Sequence, residues 1–251
     1  MTFYDELAAE YDDITRGRHR STGAREFIAE CMRRYTVRSA VDVACGTGLY
    51  ALALAEQGVD TIGADLSMEM LRRAAVRADE ANLSIKWIQT SMQELTAHLE
   101  TAQDAVLCMG NSLAHLLDDE DLDATLSAFH ASLTAEGLLV MHLLNYDRIL
   151  TERERIVGIT RTGDREYLRF YDFFDNRVRF NVLRIQWKDG QCRHLLHSTI
   201  LRPYRWHELR DSLARHGFTD VAAHGDLEFG PFSSDSSDSL LITAKVQSPL
   251  R

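Results

Sequence analysis

The sequence has no apolar run approaching the roughly 20 residues that a membrane-spanning helix needs, so no membrane span is expected. It has no surplus of positive charge. Its net charge of −10 argues against general nucleic-acid binding, which depends on a basic footprint. Four cysteines, at 31, 45, 108 and 192, lie far apart with no C-x-x-C pair. Reduced thiols are expected rather than a disulfide frame. The start, "MTFYDELAAEYDD", lacks the apolar stretch of a signal peptide. These absences together point to a cytoplasmic protein. The sequence contains no internal repeat and no G-x-S-x-G nucleophile signature.

What is present is alternation. Short apolar runs at 39–44, 60–65, 84–89, 104–110 and 138–144 read as strands. Between them, 48–58, 67–81 and 119–133 have helical character, with Ser67 placed to cap the second. This order predicts an α/β fold: a doubly wound, mostly parallel seven-stranded sheet with helices on both faces. The pattern changes after "NYD" (145–147). Residues 165–202 alternate polar and apolar, as in "RVRFNVLRIQW", and predict antiparallel strands inserted into the frame. A helix over 205–218 and two final strands joined by "SSDSSD" return to it. The division expected is 1–150 with 205–251 as one domain and 151–204 as an inserted β subdomain, serving the substrate pocket or an oligomer contact. Residues 152–205 hold 12 Lys and Arg against 7 Asp and Glu. Those arginines line the wet face of amphipathic strands, or some of them face a bound carboxylate or an acidic neighbouring subunit.

The stretch "VDVACGTGLYA" (41–51) carries the chemistry. Gly46, Gly48 and Ala51 fit the G-x-G-x-x-A turn of a dinucleotide site. In such a turn the glycines let backbone approach a ligand. Asp65, ending the second strand, suits the ribose hydroxyls of any adenosyl cofactor. Asp42 discriminates between cofactors. A carboxylate near the turn opposes a pyrophosphate but suits a ligand bearing an ammonium and a sulfonium, the description of S-adenosylmethionine. A carboxylate satisfied by local backbone N–H groups is the plainer account of Asp42 taken alone. No metal site is expected: Cys192 and His194 share one strand face, and His197 lies on the other.

"VDVACGTG", "GADLSMEML", "DAVLCMGNSLAHL" and "HASLTAEGLLVMHLLNYDRIL" resemble successive motifs of class I S-adenosylmethionine-dependent methyltransferases. More narrowly, "VACGTG", "GNSLAHL" and "NYDRIL" resemble the glycine and glycine/sarcosine N-methyltransferase branch, with amino-sugar N,N-dimethyltransferases as near relatives. The resemblance covers residues 1–150 and fades in the insertion. It implies that Arg20 pairs with the methionyl carboxylate, and that Ala44 and Gly46 form the turn at the methionyl amine. It makes Asp65, followed by Leu66, the ribose site. Ser91 and Met92 fall where the family has Asn-Trp at the adenine. Met109 and Gly110 lie under the sulfonium, Tyr4 and Tyr11 resemble lid tyrosines, and Asn145 matches a residue that holds a substrate carboxylate. His115 either packs its loop or meets the substrate.

The reaction expected is in-line methyl transfer from S-adenosylmethionine, leaving S-adenosylhomocysteine. The acceptor is a small amine, in the first place an amino acid such as glycine or sarcosine. An amino-sugar acceptor, a non-catalytic S-adenosylmethionine binder and an NAD-dependent oxidoreductase are the other readings. A homo-oligomer is possible.

Overall fold

A computed structural model describes residues 3–15, 17–188 and 190–247; of the side chains at 6, 9, 12, 15 and 17–20 nothing is said. The chain opens with α1 (Phe3–Leu7), α2 (Tyr11–Thr15) and α3 (Gly17–Arg34). An alternating series follows: β1 (Ser39–Val43), α4 (Leu49–Glu56), β2 (Asp60–Asp65), α5 (Met68–Glu80), β3 (Lys86–Gln89), β4 (Gln103–Cys108), α6 (Asp119–Ser132), β5 (Leu133–Leu144) and α7 (Tyr146–Glu152). Four long strands come next: β6 (Ile156–Thr162), β7 (Arg165–Phe173), β8 (Val178–Lys188) and β9 (Gln191–Leu201). The chain closes with α8 (Trp206–Arg215), β10 (Phe218–His224) and β11 (Ser239–Val246).

The seven-stranded sheet has the order β10-β11-β5-β4-β1-β2-β3. Its strands β3, β2, β1, β4 and β5 run parallel, while β11 is antiparallel to both β5 and β10. The strand order reverses between β1 and β4, and it is beyond the carboxyl ends at such a switch point that open α/β sheets hold ligands. Alternation along the central strands sends apolar side chains to both faces. Val41, Val43, Val106 and Met141 pack with Leu122, Leu126 and Phe129 of α6 and Leu209 and Leu213 of α8. Ala40, Leu107 and Val140 pack on the other face with Phe27 and Ile28 of α3 and Leu54 of α4. Each fully buried Leu, Ile or Phe contributes about 1.5–3 kcal/mol, so these two layers hold the platform of the site rigid.

Caps set the helix starts. The Ser67 hydroxyl accepts from the Met70 amide at 3.2 Å, and Asp118 accepts from the Asp121 amide at 2.9 Å. The 18-residue α3 has no counterpart in the sequence reading, although Ala24, Phe27, Ile28 and Cys31 are buried at helical spacing. The second sheet is the meander β6-β7-β8-β9. It begins at Ile156, nine residues earlier than the alternation suggested. The edge strand β6 buries only Thr160, so its sequence carries no two-faced pattern. All four thiols are free. No helix among the described residues is long and apolar enough to cross a membrane.

Candidate cofactor and active site

The turn after β1 is built from left-handed backbone. Ala44 (φ 53°), Gly46 (φ 56°) and Gly48 (φ 81°) all have positive φ, and Ala44 adopts it at a steric cost that glycine avoids. The Cys45 amide donates to the Ala64 carbonyl, and the Gly48 amide to the Cys45 carbonyl, each at 3.0 Å. A Cβ on Gly46 would meet open space. Gly46 lies on the wall of a cavity of about 390 Å³ at the carboxyl edge of the sheet. Gly48 is hemmed in by its neighbours. It lies behind the wall, where a Cβ would stand 3.0 Å from both Ala74 and the Trp87 ring. Its positive φ and its packing against α5 and β3 both require glycine.

Asp42 and Asp65 close the floor of this turn. Asp42 is 1% exposed and accepts the Ala51 amide at 3.0 Å. Burial pushes its carboxyl up to about 8, with the charge of Asp65 adding to the effect and the Ala51 N–H opposing it. Local backbone therefore does satisfy one oxygen of Asp42, as the plainer reading held, while the residue also borders the cavity. Asp65 accepts the Gly46 and Ser67 amides, one on each oxygen, both at 2.8 Å. Burial raises its carboxyl and these amides oppose the rise. Each carboxylate oxygen has a second lone pair, so acceptor capacity toward the cavity remains.

Leu66, 59% exposed, forms the rim. Ser91 and Met92 line the adjoining wall, followed by Gln93, which donates to Asp121 at 3.0 Å. Met109 and Gly110 follow β4 on the opposite side. Across the top lie Phe3, Tyr4 and Tyr11. The Tyr4 hydroxyl meets His115 Nε2 at 2.7 Å, and the Tyr4 and Tyr11 rings are 6.0 Å apart, edge to face. Burial lowers the His115 imidazole to about 4, so it is neutral near pH 7.

Of the residues expected at the site, Tyr4, Tyr11, Asp42, Ala44, Gly46, Asp65, Leu66, Ser91, Met92, Met109, Gly110 and His115 all border this one cavity. The Arg20 side chain lies outside the described residues. Asn145 is a correction. It is 1% exposed and caps α7, its Oδ1 accepting from the Arg148 amide at 3.4 Å. Its Nδ2 donates to the carbonyls of Ser233 (3.2 Å), Ser234 (2.9 Å) and Ser237 (2.9 Å). Both polar atoms of that amide are engaged, Oδ1 at the start of α7 and Nδ2 on the 233–237 turn, so it has no donor left for a substrate carboxylate.

Sequence reasoning missed Phe3, Asp121 and Thr199 on the wall. Thr199 comes from β9 and is the second sheet's contribution among the described residues. No local motif marks it; only the packing of the meander on the lid brings it near.

The arrangement suits S-adenosylmethionine. The open cradle at Gly46 takes backbone-close ligand atoms, Asp65 can accept vicinal hydroxyls, and the buried Asp42 favours a nearby cation. A pyrophosphate would meet those carboxylates instead.

The comparisons agree. Residues 40–137 match the family model described as a methyltransferase domain. The glycine/sarcosine N-methyltransferase of Aphanothece halophytica is 28% identical over 249 residues, spanning 97% of this chain and 89% of that protein. An S-adenosylmethionine-dependent methyltransferase from Clostridium acetobutylicum superposes with a TM-score of 0.82 at 17% identity, over 98% of this chain and 100% of that one. The sugar N-methyltransferase KedS8 from Streptoalloteichus gives 0.68 at 22% identity, over 94% and 92%. Residues 40–137 are a methyltransferase domain, and in fold and sequence the whole chain is similar to class I S-adenosylmethionine-dependent methyltransferases. Within that class its sequence is similar to the glycine/sarcosine N-methyltransferases.

Proposed function

We propose that the enzyme methylates the nitrogen of a small amine, with the acceptor seated beside Tyr4 and His115. The cofactor supplies a methyl carbon already activated by its sulfonium. The chain's part is to align that carbon with the nitrogen lone pair and exclude water, and alignment of this kind can supply roughly 7–11 kcal/mol. In this reading Asp65 accepts the ribose hydroxyls, and Ser91 and Met92 flank the adenine. Ala44 and Gly46 lie at the methionyl end, with Arg20 on its carboxylate, and Met109 and Gly110 lie under the sulfonium. The amine must arrive uncharged. A neutral His115 next to Tyr4 places no fixed charge there, so the pair orients the nitrogen without demanding a charged partner.

Two acceptor classes have support. An amino acid such as glycine or sarcosine is supported by the Aphanothece relative. A hydroxylated amine, such as an amino sugar, is supported by the wall itself: Tyr4, Tyr11 and Thr199 line it with hydroxyl-bearing side chains, Tyr4 meeting His115, while Asn145 is committed elsewhere. We favour the hydroxylated amine on that lining. Saturation kinetics with glycine, sarcosine and an aminodeoxy sugar nucleotide test the choice. Turnover of the sugar alone supports it, and efficient turnover of glycine or sarcosine with none of the sugar overturns it.

A further inference from the structure

The N-terminal segment that roofs the cavity is held from behind by the second sheet. Leu7 and Ile14, each 3% exposed, bury against Tyr167 of β7 and Val182 of β8. The Thr160 hydroxyl of β6 donates to the Ile14 carbonyl at 3.4 Å. Between these two anchors stands Glu10. One of its oxygens, Oε1, accepts from Arg165 at 2.9 Å and from Arg184 at 2.8 Å. The Glu10 side chain is 13% exposed, against 38% and 32% for the arginines, so the contact is shielded on the carboxylate side.

The two arginines come from neighbouring strands. Arg184 is in register with Tyr167, and Arg165 lies two residues from Tyr167 on the same face. Two guanidinium groups converging on one point repel each other unless an anion lies between them. Glu10 is that anion. Apolar contacts such as Leu7 on Tyr167 hold a helix against a sheet but do not fix its register. Two charge-assisted bonds to one oxygen do.

We propose that Glu10 is a positioning residue for methyl transfer. Held by Arg165 and Arg184, it fixes the lid so that Tyr11, the next residue, and Tyr4 remain over the cofactor cavity. The second sheet thereby governs how long cofactor and product stay enclosed. This rests on the cavity being the S-adenosylmethionine site, which binding by the parent enzyme checks separately.

The test measures S-adenosylhomocysteine dissociation by stopped flow, with KM for S-adenosylmethionine and kcat, in Glu10→Gln, Glu10→Asp and the pair Arg165→Gln/Arg184→Gln. Glu10→Gln should speed product dissociation and raise the cofactor KM by about fivefold, the size expected of a partly shielded ion pair. Glu10→Asp should recover part of the loss. Adding the arginine changes to Glu10→Gln should do little more, because the pair acts as a unit. Salt at roughly 0.5 M should speed product release in the parent and leave Glu10→Gln unmoved. Should Glu10→Gln fail to fold, the arginine variants carry the same readout. A lower melting temperature with unchanged dissociation rate and KM would assign Glu10 a purely structural part and overturn the proposal. A parent enzyme that binds no S-adenosylmethionine would overturn the site assignment beneath it.

Discussion

The Tyr4 hydroxyl and His115 Nε2 stand 2.7 Å apart although 111 residues separate them in the chain. This contact joins the lid to the loop after β4 at the cavity wall. With the imidazole neutral and its proton on Nδ1, the Tyr4 O–H donates to Nε2. Tyr4→Phe should lower kcat with the amine acceptor more than it weakens S-adenosylmethionine binding. A variant in which binding falls and kcat holds would place Tyr4 on the cofactor instead.

His115 also predicts a pH effect on stability. Its folded value near 4 lies below its ordinary 6.5. The unfolded chain therefore takes up a proton that the folded one resists, and stability falls as pH drops from about 6.5 toward 4. His115→Gln should flatten the melting temperature over that window. An unchanged slope would mean other groups dominate acid unfolding.

Asp42 gives the opposite sign. Its carboxyl is raised from 3.8 to about 8 in the folded protein. Its contribution to stability is complete below pH 3.8 and is lost as pH rises through 8, because ionisation in the buried site is resisted. Asp42→Asn should flatten the fall in melting temperature of the cofactor-free protein between pH 5 and 8, read by scanning calorimetry in roughly matched buffers. A cationic ligand beside Asp42 favours its ionised form. Binding of S-adenosylmethionine near pH 7 should release more protons than binding of S-adenosylhomocysteine, which lacks the sulfonium. Equal proton release for the two, from calorimetry in buffers of different ionisation heat, would remove Asp42 from the cation's neighbourhood.

Asn145→Ala should act on stability rather than on substrate. It deletes a helix cap and the donor to three carbonyls of the 233–237 turn, a loss of about 1–3 kcal/mol. Amide exchange in that turn should quicken while both KM values hold. A large rise in acceptor KM alone would restore it to the substrate.

The frame was legible because its signals are local. The glycine turn, Ser67, Asp65 and the apolar runs of β1, β2 and β4 each declare themselves within a few residues. The second sheet announced itself from β7 onward, where Val178 and Val182 alternate with polar neighbours, but the edge strand β6 buries too little to show a period. Asn145 misled because a motif position reports which residue is present and not where its amide points. Gly48 adds a packing requirement that sequence does not show, because a glycine hemmed in by a neighbouring Trp87 ring looks the same in sequence as one that faces a ligand. Glu10, Arg165 and Arg184 lie 155 and 174 residues apart, and only the docking of the lid on β7 and β8 makes them one group.

The most direct test of the account is calorimetric titration of S-adenosylmethionine into the parent enzyme and into Asp65→Ala. Asp65 ties the Gly46 turn to the end of β2 and offers its remaining lone pairs to the ribose. The parent should bind, and the folded variant should bind tenfold or more weakly, on the order of 1.4 kcal/mol or above. Equal affinity in a folded Asp65→Ala protein would contradict the placement of the cofactor in this cavity.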